Sequence, residues 1–417
     1  MKTKDHLRHA QRPAYAGLFR CIGPRCEDMC CGDWEIPVDR ITYQEYRRFP
    51  VEKLGSLVAN FVSKSPGDVH ENLYAAIHRR KDGSCPFFGT DRLCGIQNEY
   101  GPKLLSATCS LYPRALNHVH GALEGTLSLS CPEAARAILL EEDALQRAGD
   151  LFSGEFRTDN VCGLRPHGGL EHQFLAIRGL IVTVLRDRSR PLWQRLLVVA
   201  SLCNRLDDIA ASGDLQGLQP LLDRYESMVG QGSSQELEHL TPDVAMRLEI
   251  ALELSDERCR EADGGQRFRN AFFDFIEGIG SMPGAGPEEE MRRFREAGRD
   301  YFAPFLDRFP FIAENYLQNY VYQHLFPFGR VGSDDFIARS FFEEAVLLIA
   351  QFSWLTTLLT GIAGLHGPKF SQAHVVATVQ PFTRAVEHVP QILEDIIAAV
   401  KRRNLDNLEG LAKLLRM

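Results

Sequence analysis

The sequence predicts a mainly α protein, with an N-terminal cysteine-rich metal-cluster domain (1–140) packed on a larger multi-helix domain (141–417). Three observations predict it. Eight of the eleven cysteines fall within the first 131 residues. The same stretch is cut short repeatedly, by Gly-Pro at 23–24, Pro37, Pro50, Ser-Pro-Gly at 65–67, Asp-Gly at 82–83, Gly-Pro at 101–102 and Pro113, which is turn chemistry that leaves no room for long helices. From Pro132 onward apolar residues recur at helical spacing in segment after segment.

Length and composition agree with that division. A chain of 417 residues is enough for two domains that each bury a core. With 44% hydrophobic and 24% charged residues it reads as globular. A net charge of −8 and a pI near 5.9 argue against a nucleic-acid footprint. Met1 to Arg12 is polar and no signal-type apolar stretch follows, so no secretory signal is expected. Thiols kept in the cytoplasm stay reduced, and these cysteines are therefore read as metal ligands rather than disulfides.

The elements follow in order. Short helices are expected at Thr42–Phe49, Val51–Val62 and Asn72–Arg80, and a strand at Gly121–Leu129. Helices are then expected at Pro132–Leu151, with proline at its first position, and at Leu170–Arg188, Pro191–Ser212, Asp214–Gly230 and Thr241–Ala262. A loop break is expected near 278–286. Helices resume at Pro287–Arg308, Phe311–Leu325, Ser333–Leu365, Gln372–Val389 and Pro390–Arg403, with a last one to Met417. Ala345–Leu365 holds 21 uncharged residues, long enough to span a bilayer. Gln351, Ser353, Thr356, Thr357 and Thr360 dilute it, Gly361 and Gly364 interrupt it, and no basic cluster flanks it. It is read as a buried core helix, and no membrane span is expected. No fixed-period repeat is present, so a solenoid is not expected.

The chemistry starts from the thiols. Candidate metal ligands are Cys21, Cys26, Cys30, Cys31, Cys85, Cys94, Cys109 and Cys131; four are expected to ligate, with the N-terminal run favoured. If Cys26 begins a helical turn, Cys30 shares its face at i+4. Adjacent Cys30 and Cys31 point apart, which is awkward for one ion and easier for an iron–sulfur cluster, whose ligands spread over separate irons. A mononuclear zinc site prefers paired C-x2-C motifs, which the chain lacks. Cys131 precedes Pro132 at a helix start, where the dipole would favour a thiolate. Cys162, Cys203 and Cys259 read as ordinary helix or loop cysteines. His118 and His120 are a weaker substitute ligand pair, more simply a solvated strand or turn. Zincin, nucleophile-elbow and Walker patterns are absent. Glu277–Gly286 is glycine-rich, but no run of strands surrounds it, so it reads as a connector rather than a nucleotide loop.

Several stretches together carry a resemblance. The run Phe19–Cys31, Asp33-Trp-Glu-Ile-Pro-Val-Asp39, Thr42-Tyr-Gln-Glu-Tyr46, Cys85-Pro-Phe-Phe88, the stretch from Cys94 to Arg114 and Ser130-Cys-Pro-Glu-Ala-Ala-Arg136 resemble the flagellin lysine-N-methylases. So do Ile177-Arg-Gly-Leu-Ile-Val182, Trp193–Val198, Glu314–Tyr322 and Leu325-Phe-Pro-Phe328. The resemblance implies methyl transfer from S-adenosylmethionine to surface lysines of flagellin in the bacterial cytoplasm. It also implies a 4Fe–4S cluster held by the N-terminal cysteines. The radical-enzyme spacing C-x3-C-x2-C is absent, because Cys31 follows Cys30 directly. For the lysine the candidate is the helix Glu314–His324, where Asn315 with Asn319, and Tyr316 with Tyr320, stand at i+4. Such groups can hold an ammonium by hydrogen bonds and cation–π contact; the plainer alternative is a packed helix whose phenols find partners. The competing function is a non-enzymatic metal-binding or iron–sulfur accessory protein, such as a metal chaperone or electron carrier, which would need only the first 140 residues.

Overall fold

Frequent punctuation keeps the first elements short. In the computed structural model, residues 15–32, 35–67, 71–146, 161–233, 237–261, 265–281, 284, 286–332 and 337–416 are described. Strand β1 (Ile36–Val38), helices α1 (Arg40–Tyr46) and α2 (Ser56–Phe61), and strands β2 (Val62–Lys64) and β3 (Ala75–Ile77) come first. The strands form an antiparallel sheet in the order β1-β3-β2. Ile36, Val38, Ala75 and Ile77 alternate into a small apolar core with Tyr46, Val58, Phe87, Ile96 and Leu105. Asp39 starts α1 by accepting from the Thr42 amide at 2.9 Å. The helix expected over Asn72–Arg80 is instead a 3-10 turn, Glu71–Leu73, followed by β3. Partners on both sides of β3 override the local helical pattern. Helices α3 (Gly95–Tyr100) and α4 (Ala107–Leu111) close this region.

Strands β4 (Arg114–Val119) and β5 (Ala122–Leu127) form a hairpin. Its two turn residues, His120 and Gly121, both have positive φ, 48° and 77°, as a twist-matched two-residue turn requires. Strand β6 (Val161–Leu164) and strand β7 (Arg330–Val331) extend the sheet to β5-β4-β6-β7. Val119, Leu127 and Leu129 belong to the large helical core, not to the small one.

The helices after Pro132 fall where the periodicity places them, except that Gln266–Ile279, where none was expected, is also helical. They are α5 (Pro132–Leu139), α6 (Phe174–Leu185), α7 (Leu192–Ser212), α8 (Leu218–Ser227), α9 (Val244–Arg260), α10 (Gln266–Ile279), α11 (Pro287–Ala297), α12 (Ala303–Arg308), α13 (Pro310–Gln323), α14 (Phe341–His366), α15 (Gln372–Val386), α16 (Pro390–Arg402) and α17 (Leu408–Leu415). The far end of the helix expected over Pro132–Leu151, and the first residues of that over Ser333–Leu365, lie outside the described residues.

The core is built around α14. A capping box between Ser340 and Glu343 starts it. It is long and apolar enough to cross a membrane, yet that window is wholly buried against other helices. Its polar residues are occupied from within the fold. Ser353 Oγ donates to the Leu414 carbonyl at 2.8 Å, and Thr356 and Thr357 accept from buried Arg247 at 2.7 Å each. Its glycines have a packing reason. A Cβ on Gly278 of α10 would sit 1.9 Å from the Gly361 carbonyl oxygen, and one on Gly364 would meet the Gly278 carbonyl oxygen at 3.2 Å. Backbone touches backbone at this crossing. The expected loop break begins only at Gly280, whose φ of 70° ends α10.

Candidate functional site

Thiols from four separate segments meet beside the small core. Two isolated antiparallel bridges, Gly32 with Ser84 and Phe88 with Cys94, hold the Cys31, Cys85 and Cys94 loops side by side. The Cys85 amide donates to the Cys31 carbonyl at 3.0 Å. Arg80 shapes the Cys85 turn by donating to the Pro86 carbonyl at 2.7 Å. Cys109 rides on α4, whose cap Ser106 accepts from the Cys109 amide at 3.2 Å. Cys30, Cys31, Cys85, Cys94 and Cys109 lie within electrostatic reach of one another, and the Cys30 and Cys31 sulfurs are 3.6 Å apart. Cys131 stands near Cys26 and Cys30, and Cys26 near Cys21. Gly23–Arg25 is a 3-10 turn that ends with Cys26 in an extended conformation, so no helical turn begins at Cys26 and the i+4 geometry does not arise.

Burial governs the protons here. It pushes Cys109 and Cys131 up to about 12 and raises Cys94 and Cys26. Cys131 does precede helix α5, and the Ala134 and Glu133 amides lower it, but desolvation outweighs them. Cys30 and Cys85 are the exceptions: hydrogen bonds with Cys31 lower both, Cys30 to about 7 with help from Arg384, while Cys31 rises. A metal cation would reverse the trend for every thiol it touched. The donor set is all sulfur, which suits iron or zinc. Among the described residues, no three Cys, His, Asp or Glu donors stand close enough to hold a single metal ion. Cys203 is buried in α7, Cys259 lies on α9 and Cys162 on β6. His118 is on β4, and His120 Nε2 is spent on the Glu171 carbonyl at 2.8 Å.

The loop bearing Cys30 and Cys31 is gripped by the helical region. Arg384 of α15 donates to Asp28 Oδ2 and to the Met29 carbonyl, each at 2.9 Å, and to the Gly32 carbonyl. Gln380, one turn earlier, donates to Asp28 Oδ2 at 2.7 Å and to the Ser130 carbonyl at 2.8 Å. Arg136 of α5 pairs with Glu27.

Helix α13 is buried along its length. Asn315 spends its amide on the Ile138 and Glu141 carbonyls at 2.8 Å each. Asn319 donates to the Leu127 carbonyl at 3.1 Å and accepts from Tyr15 Oη at 2.6 Å. These two asparagines fasten α13 to α5, the hairpin and the N-terminal turn. Tyr316 Oη donates to Glu387 Oε1 at 3.2 Å, and the Tyr320 ring packs at a tilt against His324, centroids 4.3 Å apart.

Tyr320 and His324 face a polar cavity of about 30 Å³ that the sequence reading missed. Arg165, Arg330 and Arg339 line it with Glu344, Gln351 and Glu387. Arg165 Nη1 and Arg339 Nη1 approach Glu344 Oε1 only to 3.9 and 3.8 Å, too far for hydrogen bonds. Burial raises Glu344 to about 7 against the pull of both arginines, and it lowers His324. A Cβ on Gly329 (φ 78°) would lie 3.2 Å from Arg165 Nη1, so glycine is what lets the guanidinium in. These residues come from four distant stretches, and as site candidates the sequence pointed only to those on the helix Glu314–His324. Glu387 follows Arg384 by one helical turn, so α15 and its end reach both the thiol loop and the cavity.

Fold and site define a mainly helical protein that seats a cysteine group on a helical core. The family model described as the FliB lysine N-methylase C-terminal domain matches residues 178–414, and the chain belongs to that family. It is 28% identical over 255 residues to the lysine-N-methylase of Salmonella typhimurium, covering 58% of this chain and 60% of that protein. The Salmonella choleraesuis lysine-N-methylase matches to the same extent. The chain therefore spans about three-fifths of the length of these relatives. The flagellar biosynthetic protein FliU of Salmonella muenchen is 34% identical over 137 residues, covering 32% of this chain and 78% of that protein. No solved structure matches.

Proposed function

We propose that this protein transfers methyl groups from S-adenosylmethionine to surface lysines of flagellin in the bacterial cytoplasm, and that its N-terminal thiols hold a 4Fe–4S cluster. The single observation that carries the reading is the family match across residues 178–414, nearly the whole helical region. The gathering of five thiols from four segments of the chain supports the cluster, with ligands drawn first from Cys30, Cys31, Cys85, Cys94 and Cys109. When bound, such a cluster supplies a redox-capable, Lewis-acidic centre.

The protein's own groups have a definite task. A lysine amine attacks a methyl sulfonium only when neutral, and reaching that form from a pKa near 10.4 at pH 7 costs about 4.6 kcal/mol. A desolvated setting with a proton acceptor lowers that cost. The cavity between α13 and α14 offers both: Tyr320 and His324 form an aromatic wall, and Glu387 and Glu344 provide carboxyl groups. Asn315 and Asn319 set the height of α13, so that Tyr316 orients Glu387 and Tyr320 lines the wall. In this reading the lysine arrives at the mouth of that cavity.

Anaerobic purification followed by iron, sulfide and zinc quantitation tests the cluster, and mass spectrometry of flagellin incubated with S-adenosylmethionine tests the transfer. The expected result is about four irons and four sulfides per chain, with flagellin gaining mass in steps of one methyl group. Stoichiometric zinc without iron removes the cluster. Unmodified flagellin with a fully loaded protein removes the transferase reading.

A further inference from the structure

One buried hydroxyl beside the thiols has nothing to donate to. Tyr46 ends α1 and is 1% exposed, and among the described residues its Oη has no hydrogen-bond partner. Its ring packs with Phe49 and Phe87, centroids 5.2 and 6.2 Å away. This is the small core that also holds Cys85, with Cys31, Cys94 and Cys109 packed on it. Asp39 sets the lie of α1. It accepts from Thr42 Oγ1 at 2.7 Å and from the Ala107 amide at 3.3 Å, which fastens α1 to α4 and so to Cys109. Cys109 and Cys94 are the charges that Tyr46 feels most strongly, and the Ser106 amide lowers its pKa. An amide can meet only a lone pair and offers no acceptor for the phenolic proton. Burial outweighs that amide and raises Tyr46 well above its ordinary value, so the hydroxyl keeps its proton at neutral pH. A phenylalanine would fill the same space, and an unmet buried hydroxyl costs stability.

We propose, on the cluster reading, that Tyr46 Oη donates a hydrogen bond to metal-bound sulfur on the Cys94–Cys109 side of the thiol site and raises the reduction potential of the group held there. A thiol sulfur is a weak acceptor, whereas sulfur bound to iron carries negative charge and accepts better. That charge is greater after reduction, so a donor aimed at it favours the reduced form; hydrogen bonds to the sulfurs are among the groups that set such potentials. An orphaned donor in an otherwise apolar core is what an anionic sulfur group would satisfy.

The test compares wild type with Tyr46→Phe, both intact and reconstituted anaerobically, by a redox titration followed by electron paramagnetic resonance. The midpoint of Tyr46→Phe should lie lower by about 59 mV, a tenfold change in the ratio of reduced to oxidised protein. The metal-free variant should melt no lower than metal-free wild type, because the lost hydroxyl had no partner there. Iron lost from the variant at an unchanged metal-free melting temperature supports the same donation. Coincident midpoints, or a higher one in the variant, overturn the donor and leave the cluster standing. A metal-free variant that melts lower also overturns it, since the hydroxyl then serves the protein itself. If Tyr46→Phe does not fold, Tyr46→3-fluorotyrosine sharpens the donor instead; its midpoint should rise, and an unchanged one overturns the donor. If wild type holds zinc and no iron, the cluster reading falls and cobalt replaces zinc: a shifted thiolate-to-cobalt band in Tyr46→Phe upholds the donor, and an identical band overturns it. If wild type binds no metal, both fall.

Discussion

At the scale of single residues, Glu344 has the clearest thermodynamic signature. Burial dominates its environment, with Arg339, Arg165 and Arg330 opposing and Glu343 adding to the rise, while His324, Gln351 and Glu387 line the same space. The unfolded chain releases this proton near its ordinary 4.5, whereas the folded chain holds it to about 7. Between those values the folded state binds more protons than the unfolded one, so this carboxyl makes stability fall as pH rises from 4.5 to 7. The full effect is about 3 kcal/mol. Glu344→Gln should therefore unfold at a higher temperature than wild type at pH 8 and near the wild-type temperature at pH 4.5. Parallel melting curves for the two proteins across that range would show that Glu344 ionises normally. None of this was legible in sequence, where Glu344 is one of two acids at a helix start. Asn315 and Asn319 illustrate the same limit. Their i+4 spacing was plain, but the carbonyls they bind lie 177 and 192 residues away.

Among the elements, the helices were legible and their contacts were not. Apolar periodicity located α6 to α9 and α13 to α17, and α11 with α12 as a single helix, because each buries a stripe that recurs at helical spacing, but it left α10 unassigned. The uncharged stretch Ala345–Leu365 of α14 was readable as part of a core helix because its polar residues are out of keeping with lipid, and Arg247 and the Leu414 carbonyl turn out to be their partners. Short strands were the harder case: β3 exists only because β1 and β2 flank it. Gly278 was assigned to a loop because its neighbours are glycines, whereas its reason for being glycine is Gly361 across the α10–α14 crossing. Gly278→Ala should cost about 3 kcal/mol, because a methyl there meets backbone that cannot move aside. Gly286→Ala is the control. A Cβ at Gly286 meets nothing within 4 Å, and its φ of −95° suits any residue. It should cost no more than about 1 kcal/mol as a changed cap. Equal melting temperatures for the two variants would show that the crossing relaxes freely.

For the molecule as a whole, the thiol loop depends on residues at the other end of the chain. The sequence announced the thiols by their density, yet the contacts that fix Cys30 and Cys31 span 352 to 356 positions, beyond any local pattern. Arg384 alone ties Asp28, Met29 and Gly32, which bracket both cysteines, to α15. An isolated N-terminal segment would lack that tie, so the helical region is part of the thiol site and not merely an appendage to it. Arg384→Met keeps the aliphatic stem of the side chain and removes all three hydrogen bonds. Because Arg384 is partly exposed, with 15% of its side chain accessible, and is not itself one of the helical core's apolar residues, global stability should fall by only about 1–2 kcal/mol. On the cluster proposal, metal content should fall much further, since a loop whose ligands are free to wander pays an ordering cost each time it binds. The measurement is iron and sulfide per chain after anaerobic reconstitution, with melting temperature recorded in parallel. Iron lost with little change in melting temperature marks Arg384 as a positioning residue for the thiols. Full iron content in Arg384→Met would mean that the cysteine loops order themselves, and the dependence on the helical region would be discarded.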